Sequence, residues 1–146
     1  MKKFNFNLDP LLVLRERDEQ NARMALSEVN AQVERINQHI AKLEASVTGT
    51  FASWNGESGR RFAPTDRIGL AGQVAELQRQ ADEARKLMQK AQERRTKAMK
   101  ALQDASRSRK VVTNLKEKRF KEYTAEVQKQ EAIEIEDIFN ARRRTI

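Results

Sequence analysis

The sequence predicts an all-α protein, a long antiparallel two-helix coiled-coil hairpin with unequal arms. The chain combines 34% charged and 38% hydrophobic residues with only 2 Pro and 5% aromatics, a composition that suits long helices burying one narrow stripe. Two stretches carry apolar residues at alternating intervals of three and four, the spacing of a coiled-coil seam. A glycine-containing segment separates these stretches, so the two helices can fold back on each other.

Helix 1 is predicted over about residues 9–48. Asp9 can cap it, Pro10 suits the first helical position, and Leu8 can pack on Val13 as a hydrophobic staple. Thr48 followed by Gly49 supplies a stop. The seam of helix 1 consists of Leu26, Val29, Val33, Ile36, Ile40, Leu43 and Val47.

A connector is predicted over about residues 49–69, where four of the five glycines and one of the two prolines fall. It contains Trp54, which either packs locally against Phe51 or Phe62 or anchors a partner at the hairpin tip, since Trp is frequent among binding hot spots. Helix 2 follows over about 70–143, and the whole of 1–146 forms a single coiled-coil domain. The seam of helix 2 consists of Leu70, Val74, Leu77, Ala81, Ala84, Met88, Ala91, Arg95, Ala98, Leu102, Ala105, Arg109 and Val112.

The two seams predict a register. Pairing Val47 with Leu70 sets Ile36 opposite Ala81, Val33 opposite Ala84 and Leu26 opposite Ala91, so that large side chains meet small ones. The same register brings Glu19 near Arg95. A parallel homodimer would instead set Ala against Ala along much of helix 2, which favours the intramolecular hairpin.

This register ends with Leu8 opposite Arg109, so about 34 residues of helix 2 project beyond helix 1. An isolated helix gains most of its stability from packing. The projecting segment is therefore a candidate docking surface, and weak self-association through it is an open alternative. Its apolar residues lack a partner within the chain, except where residues 1–7 cover them; they are Val112, Leu115, Phe120, Tyr123, Val127, Ile133, Ile138 and Phe139.

The net charge of +8 is concentrated in one block. Between Arg94 and Lys121 there are eleven basic residues and two acidic ones, Asp104 and Glu117, which gives 11 − 2 = +9. Between Glu126 and Asp137 the balance reverses, with five carboxylates against one lysine. Such blocks suggest partner surfaces of opposite sign, although they also suit the solvated faces of a long helix.

Residues that could carry chemistry are few. His39 is the only histidine and there is no cysteine, so a structural zinc site is excluded and no prepared nucleophile accompanies the imidazole. The carboxylates between Glu131 and Asp137 lie on one helix and do not converge on a cation or an acid–base pair. The stretch Gly56 to Gly59 lacks the Gly-Lys-Ser/Thr continuation of a phosphate loop. No enzymatic activity, metal or cofactor is predicted.

Location and nucleic-acid binding are also bounded by the sequence. No run of about 18 apolar residues and no secretory leader occurs, so we expect a cytosolic protein. The basic block would attract phosphates non-specifically. The only aromatic residues near it are Phe120 and Tyr123, too few for a base-stacking surface, and specific nucleic-acid binding is not predicted.

The two ends of the chain carry distinctive sequence patterns. The opening reads Phe4-x-Phe6-x-Leu8-x-x-Leu11-Leu12-x-x-Arg15. The closing pattern runs through Leu115-Lys116-Glu117-Lys118-Arg119, Glu122, Glu126, Glu131 and Ile138 to Arg142-Arg143-Arg144. Together these two patterns resemble the FliJ family, which is the central-stalk and chaperone component of the bacterial flagellar type III export apparatus. The resemblance covers both helices but not the connector.

The resemblance implies a function in flagellum biogenesis, motility and chemotaxis. It implies an antiparallel coiled coil that binds and stimulates the hexameric export ATPase, and that also engages the membrane export gate and the export chaperones. The terminal segments would face the ATPase and the connector end would face the gate, with the protein held peripherally at the inner face of the cell membrane at the flagellar base. The candidate partner-binding residues are Leu11, Leu12, Arg15, Trp54, Lys116, Lys118, Arg119, Ile138, Phe139, Arg142, Arg143 and Arg144.

Two other functions stay open at this point. One is the equivalent coiled-coil protein of a virulence-type secretion system, which would share the architecture and an ATPase partner. The other is a basic coiled coil that binds nucleic acid or an anionic membrane.

Overall fold

Two long helices account for nearly all of the chain in the computed structural model. The structure describes residues 2–56 and 64–145, and within them the side chains other than those of residues 54–56 and 64–65. Helix α1 spans Asp9–Gly56 and helix α2 spans Pro64–Arg144. No strand occurs in these ranges. The predicted all-α coiled-coil class is confirmed.

Helix α1 begins at the predicted residue. The Leu12 amide donates to the Leu8 carbonyl at 2.9 Å, and the Asp9 amide donates to the Phe6 carbonyl at 3.1 Å. Leu8 packs on a cluster that includes Phe6 and Leu12. Val13 is 54% exposed and lies outside that cluster, so its packing on Leu8 as a staple stays a prediction.

Both helices extend further toward the hairpin tip than predicted. Helix α1 continues to Gly56 rather than ending near 48, and helix α2 begins at Pro64 rather than near 70. The Thr48 and Thr50 hydroxyls donate to carbonyls one turn back, at 3.0 and 2.8 Å, a bond that is compatible with a continuing helix. Open space surrounds Gly49, which therefore weakens the helix without ending it. The central part of the predicted connector, 57–63, lies outside the described residues.

The chain divides into two compact units. Unit 1 comprises Met1–Asn21 and Leu102–Ile146, and unit 2 comprises Ala22–Ala101. In unit 2 the two helices are antiparallel, and Leu43, Ala81 and Ala84 form a buried cluster with Ile40 and Leu77 packed against it. Large side chains of α1 meet alanines of α2, as the two seams predict.

The predicted register, however, is wrong by one heptad. Ala81 and Ala84 lie in one cluster with Leu43 and Ile40, seven residues further along α1 than the predicted partners Ile36 and Val33. A shift of seven residues carries every seam position onto another seam position. The apolar pattern alone therefore cannot distinguish the two registers.

Unit 1 shows the same shift of seven residues. Leu12 is buried in one cluster with Val112, whereas the predicted register would have set Asn5 opposite Val112. Polar contacts agree, because Glu19 pairs with Arg109. The cation paired with Glu19 is thus Arg109 and not the predicted Arg95.

Candidate functional site

The N-terminal segment, residues 2–8, lies along α2 and closes the core of unit 1. Phe6 is 2% exposed and forms a buried cluster with Leu12 and Val112. Phe4, Leu8, Leu11 and Leu115 pack against this cluster. A non-helical segment rich in alternating apolar residues thus covers α2 beyond the point where α1 begins.

Aromatic contacts extend this packing toward the C-terminus. The Phe4 ring meets Phe120 edge to face, with centroids 5.2 Å apart and planes at 78°. It also lies 5.4 Å from the Tyr123 ring. The Tyr123 hydroxyl donates to the Lys2 carbonyl at 2.8 Å. Both aromatic residues of the basic block are therefore engaged within the chain, in a geometry that aromatic pairs favour.

Charged residues close the same part of unit 1. The Lys116 ammonium lies 2.7 Å from the Asp9 carboxylate and 5.9 Å from the centre of the Phe6 ring. The Arg119 guanidinium lies 5.7 Å from the same ring. Both distances are within the range of cation–π attraction. Lys116 and Arg119 thus contribute to packing the N-terminal segment as well as to surface charge.

The paired end of unit 1 contains five of the residues predicted to bind a partner. Leu12 is buried and Leu11 is half-buried in the apolar cluster. Arg15 is half-buried, and its guanidinium lies 3.7 Å from the Asp18 carboxylate. Lys116 and Arg119 contact Phe6. Leu11, Leu12, Lys116 and Arg119 thus hold the N-terminal segment and the two helices together, whereas the ion pair of Arg15 with Asp18 lies within α1.

The other predicted residues lie elsewhere. Lys118 is exposed on α2. Ile138 and Phe139 are 56% and 64% exposed, and Arg142, Arg143 and Arg144 form the last turn of α2. The Trp54 backbone belongs to the last turn of α1, and its side chain lies outside the described residues.

The C-terminal tail, residues 128–145, differs from the rest of α2 because each of its side chains is exposed. Four large apolar side chains, those of Ile133, Ile135, Ile138 and Phe139, are between 49% and 67% exposed. Such residues on a continuous helix are unusual without a partner. The sequence pattern identified this segment correctly, but placed its start too early because Phe4 and Phe6 cover α2 as far as Tyr123.

The described residues contain no group of three His, Cys, Asp or Glu side chains that could hold a metal ion. Within them, the pKa of Glu76 falls to about 2 because the Arg79 guanidinium donates to its carboxylate, and the pKa of Arg79 rises for the same reason. Both side chains are exposed and one turn apart on α2. They form a surface ion pair rather than a reactive pair.

Unit 2 holds two buried polar atoms without hydrogen-bond partners, Arg95 Nε and Gln32 Oε1. A shallow open groove between its helices is lined by residues that include Glu44, Gln78 and Arg85. The Arg85 guanidinium lies 3.2 Å from the Glu44 carboxylate across this groove. The Glu44 and Arg85 side chains are therefore bound to each other, and the open groove is not an enclosed pocket for a small molecule.

Comparison with known proteins gives one family match. The sequence model described as "Flagellar FliJ protein" matches residues 4–142. The match includes the N-terminal segment, both helices and most of the C-terminal tail. No curated protein and no solved structure matches the chain at a significant level. Within the part of the chain that the structure describes, neither helix has an apolar stretch long enough to cross a membrane.

Proposed function

Because the chain belongs to the FliJ family of non-enzymatic flagellar export proteins, we propose that it is a coiled-coil stalk that binds and stimulates the hexameric export ATPase. In this proposal it also links the ATPase to the export gate and to the export chaperones. It acts from the cytoplasm, held peripherally at the inner face of the membrane.

The observation that carries this proposal is the exposed tail of α2. A stalk that acts on a ring of subunits needs a rigid projecting element with its own contact side chains. The C-terminal tail continues α2 without a break and exposes Ile138 and Phe139, followed by three consecutive arginines. Apolar side chains supply affinity, and the cationic end supplies long-range attraction to a carboxylate-lined surface.

The paired end of unit 1 supports the tail in this proposal. Leu11 and Leu12 pack against Phe6 and Val112, so they anchor the tail and are poorly placed to contact the ATPase directly. Arg15, Lys118 and Arg119 border the same end and add to its positive charge. We therefore assign direct contact mainly to Ile138, Phe139 and the terminal arginines.

The opposite end of the hairpin is the proposed contact for the export gate. Here the proposal follows from the family resemblance, which assigns the connector end to the gate. Trp54 is the candidate anchor, since its position in the last turn of α1 sets it beside the tip. Replacing it with alanine should weaken binding to the cytoplasmic domain of the gate protein and leave ATPase binding unchanged.

One observation weakens the nucleic-acid alternative. Base stacking requires several accessible aromatic faces, and the two aromatic residues near the basic block, Phe120 and Tyr123, both pack on Phe4, with Phe120 still 51% exposed. Non-specific attraction to polyanions remains available to the exposed cations. A flagellar rather than a virulence-type system is favoured by the family match itself.

A kinetic binding experiment tests the proposal. The purified chain is immobilised, and the purified export ATPase is passed over it at low and high salt. We expect the triple change Arg142→Ala, Arg143→Ala and Arg144→Ala to slow association at low salt and to reduce its dependence on ionic strength, because grouped charges act mainly on the association rate. Duplex DNA is the control analyte. Binding of DNA but not of the ATPase would reject the proposal and favour the nucleic-acid alternative.

A further inference from the structure

Helix α2 has a continuous exposed face on the side turned away from its seam. Starting at Asp104, alternating steps of three and four residues reach Arg107, Val111 and so on to Ile135, Phe139 and Arg142. We call these twelve positions the outer stripe. Every one of them is exposed, all lie in unit 1, and five are apolar, namely Val111, Ala125, Ala132, Ile135 and Phe139. Alternation of three and four keeps the stripe on one face of a supercoiled helix, so these side chains can meet a second helix along its length.

The outer stripe is complementary to itself when it is reversed. If two copies of α2 lie antiparallel with their symmetry axis at residue 123, Val111 of one copy faces Ile135 of the other. Arg107 then faces Phe139, and Asp104 faces Arg142. Between these pairs, Lys118 faces Gln128 and Lys121 faces Ala125. No pair sets like charges directly opposite each other.

The parallel arrangement lacks this complementarity. It would set Arg107, Lys118, Lys121 and Arg142 each opposite its own copy, four repulsive layers in which cations face each other. In the antiparallel arrangement Ala125 faces Lys121 and Ala132 faces Asn114, so each small side chain meets a longer one, whereas the parallel arrangement sets alanine against alanine. A two-fold axis requires the same patch on both copies, and the reversed outer stripe satisfies that requirement.

We propose that the outer stripe is a homodimer interface, in which two copies of this chain pair antiparallel along α2 from residue 104 to residue 142. The paired length is about 57 Å at a rise of ~1.5 Å per residue. Most of its layers are polar, so the dimer is weak and reversible. The dimer would bury Phe139 and Arg142, so a second copy and any other partner could not bind the tail at the same time. The interface depends on this chain alone and not on the proposed ATPase contact.

Disulfide trapping in the full chain tests the arrangement, since the native chain contains no cysteine. We expect the double variant Val111→Cys, Ile135→Cys to form a covalent dimer under mild oxidation. Each single variant should stay monomeric, because equivalent residues in the antiparallel dimer lie about 36 Å apart along the axis and a disulfide needs Cα atoms within about 7 Å. Cross-linking of Val111→Cys alone to the same extent, or a double variant that stays monomeric at high concentration, would overturn the proposal.

Sedimentation equilibrium supplies a second test with matched controls. Ile135→Asp should lower the association constant about ten-fold or more, because it sets a carboxylate in an apolar layer. Ile133→Asp makes the same change two residues away, off the outer stripe, and should leave the constant within about two-fold. Asp104→Arg and Arg142→Asp should each weaken association about five-fold through like-charge contacts, and the combined swap should restore it. Equal effects of the two isoleucine changes, or no restoration by the swap, would contradict the assigned stripe.

Discussion

Glu19 forms a buried ion pair in the seam of unit 1. Its side chain is buried in the seam and accepts a hydrogen bond from Arg109, whose own side chain is 27% exposed and also contacts Thr113. The seam of α2 carries cations at Arg95, Arg109 and Lys116, separated by multiples of seven residues. The sequence alone shows that Glu19 needs a cation but cannot choose among them, which is why the predicted partner Arg95 was wrong. Packing of Phe6 and Leu12 on Val112 makes the choice.

A double-mutant cycle tests this ion pair. Arg109→Leu should lower the free energy of unfolding by about 2–4 kcal/mol, because it removes the guanidinium that donates a hydrogen bond to the buried Glu19 carboxylate. Glu19→Leu should cost less, about 1–2 kcal/mol, since Arg109 can turn toward water. The double change to leucine should be more stable than Arg109→Leu alone. Urea denaturation followed by circular dichroism gives the three values, and strict additivity would show that the two side chains do not interact.

The two helices pair through a narrow seam in which large side chains of one helix meet small side chains of the other. The apolar spacing predicted both seams and the meeting of large side chains of α1 with alanines of α2. It could not fix which heptad meets which, because Ala81, Ala84 and Ala91 present similar surfaces at successive layers. It also misplaced the helix ends, since Gly49 and Gly69 lie in open space and are tolerated within the helices. Contacts of the N-terminal segment, which has no helical period, were beyond this kind of pattern.

The close packing of the unit 2 seam gives an element-scale prediction. Ala84 is 3% exposed in the cluster that contains Leu43, so Ala84→Leu should destabilise the chain by about 1–3 kcal/mol through overpacking. Ala75→Leu is the matched control, because Ala75 is exposed on the same helix. Alanine and leucine are both good helix formers, so the two variants differ mainly in whether the added side chain must fit into the seam. Thermal unfolding by circular dichroism compares them. A higher melting temperature for Ala84→Leu would mean that this layer is loosely packed and that the register is different.

At the scale of the whole molecule, some apolar side chains are buried and stabilise the fold, whereas others are exposed. Phe6, Leu12 and Val112 hold the paired end of unit 1, whereas Ile138 and Phe139 have no comparable burial. The sequence could predict the exposed tail, because α2 carries more apolar residues than the shorter α1 can cover. The sequence could not predict that Leu12 is buried and Phe139 is exposed, since both are apolar residues near a terminus and only the fold shows which one is covered.

The rate of phosphate release by the purified flagellar export ATPase, with and without this chain, tests the proposed stalk function most directly. We expect the wild-type chain to raise the rate at both low and high salt, because apolar contacts resist screening while ionic ones do not. Ile138→Ala should reduce the stimulation even at low salt. Ile68→Ala, which alters an equally exposed isoleucine in unit 2 (72% exposed), should leave it unchanged. A rate that the wild-type chain leaves unaltered under every condition would contradict the stalk function and favour a passive chaperone or a polyanion-binding role.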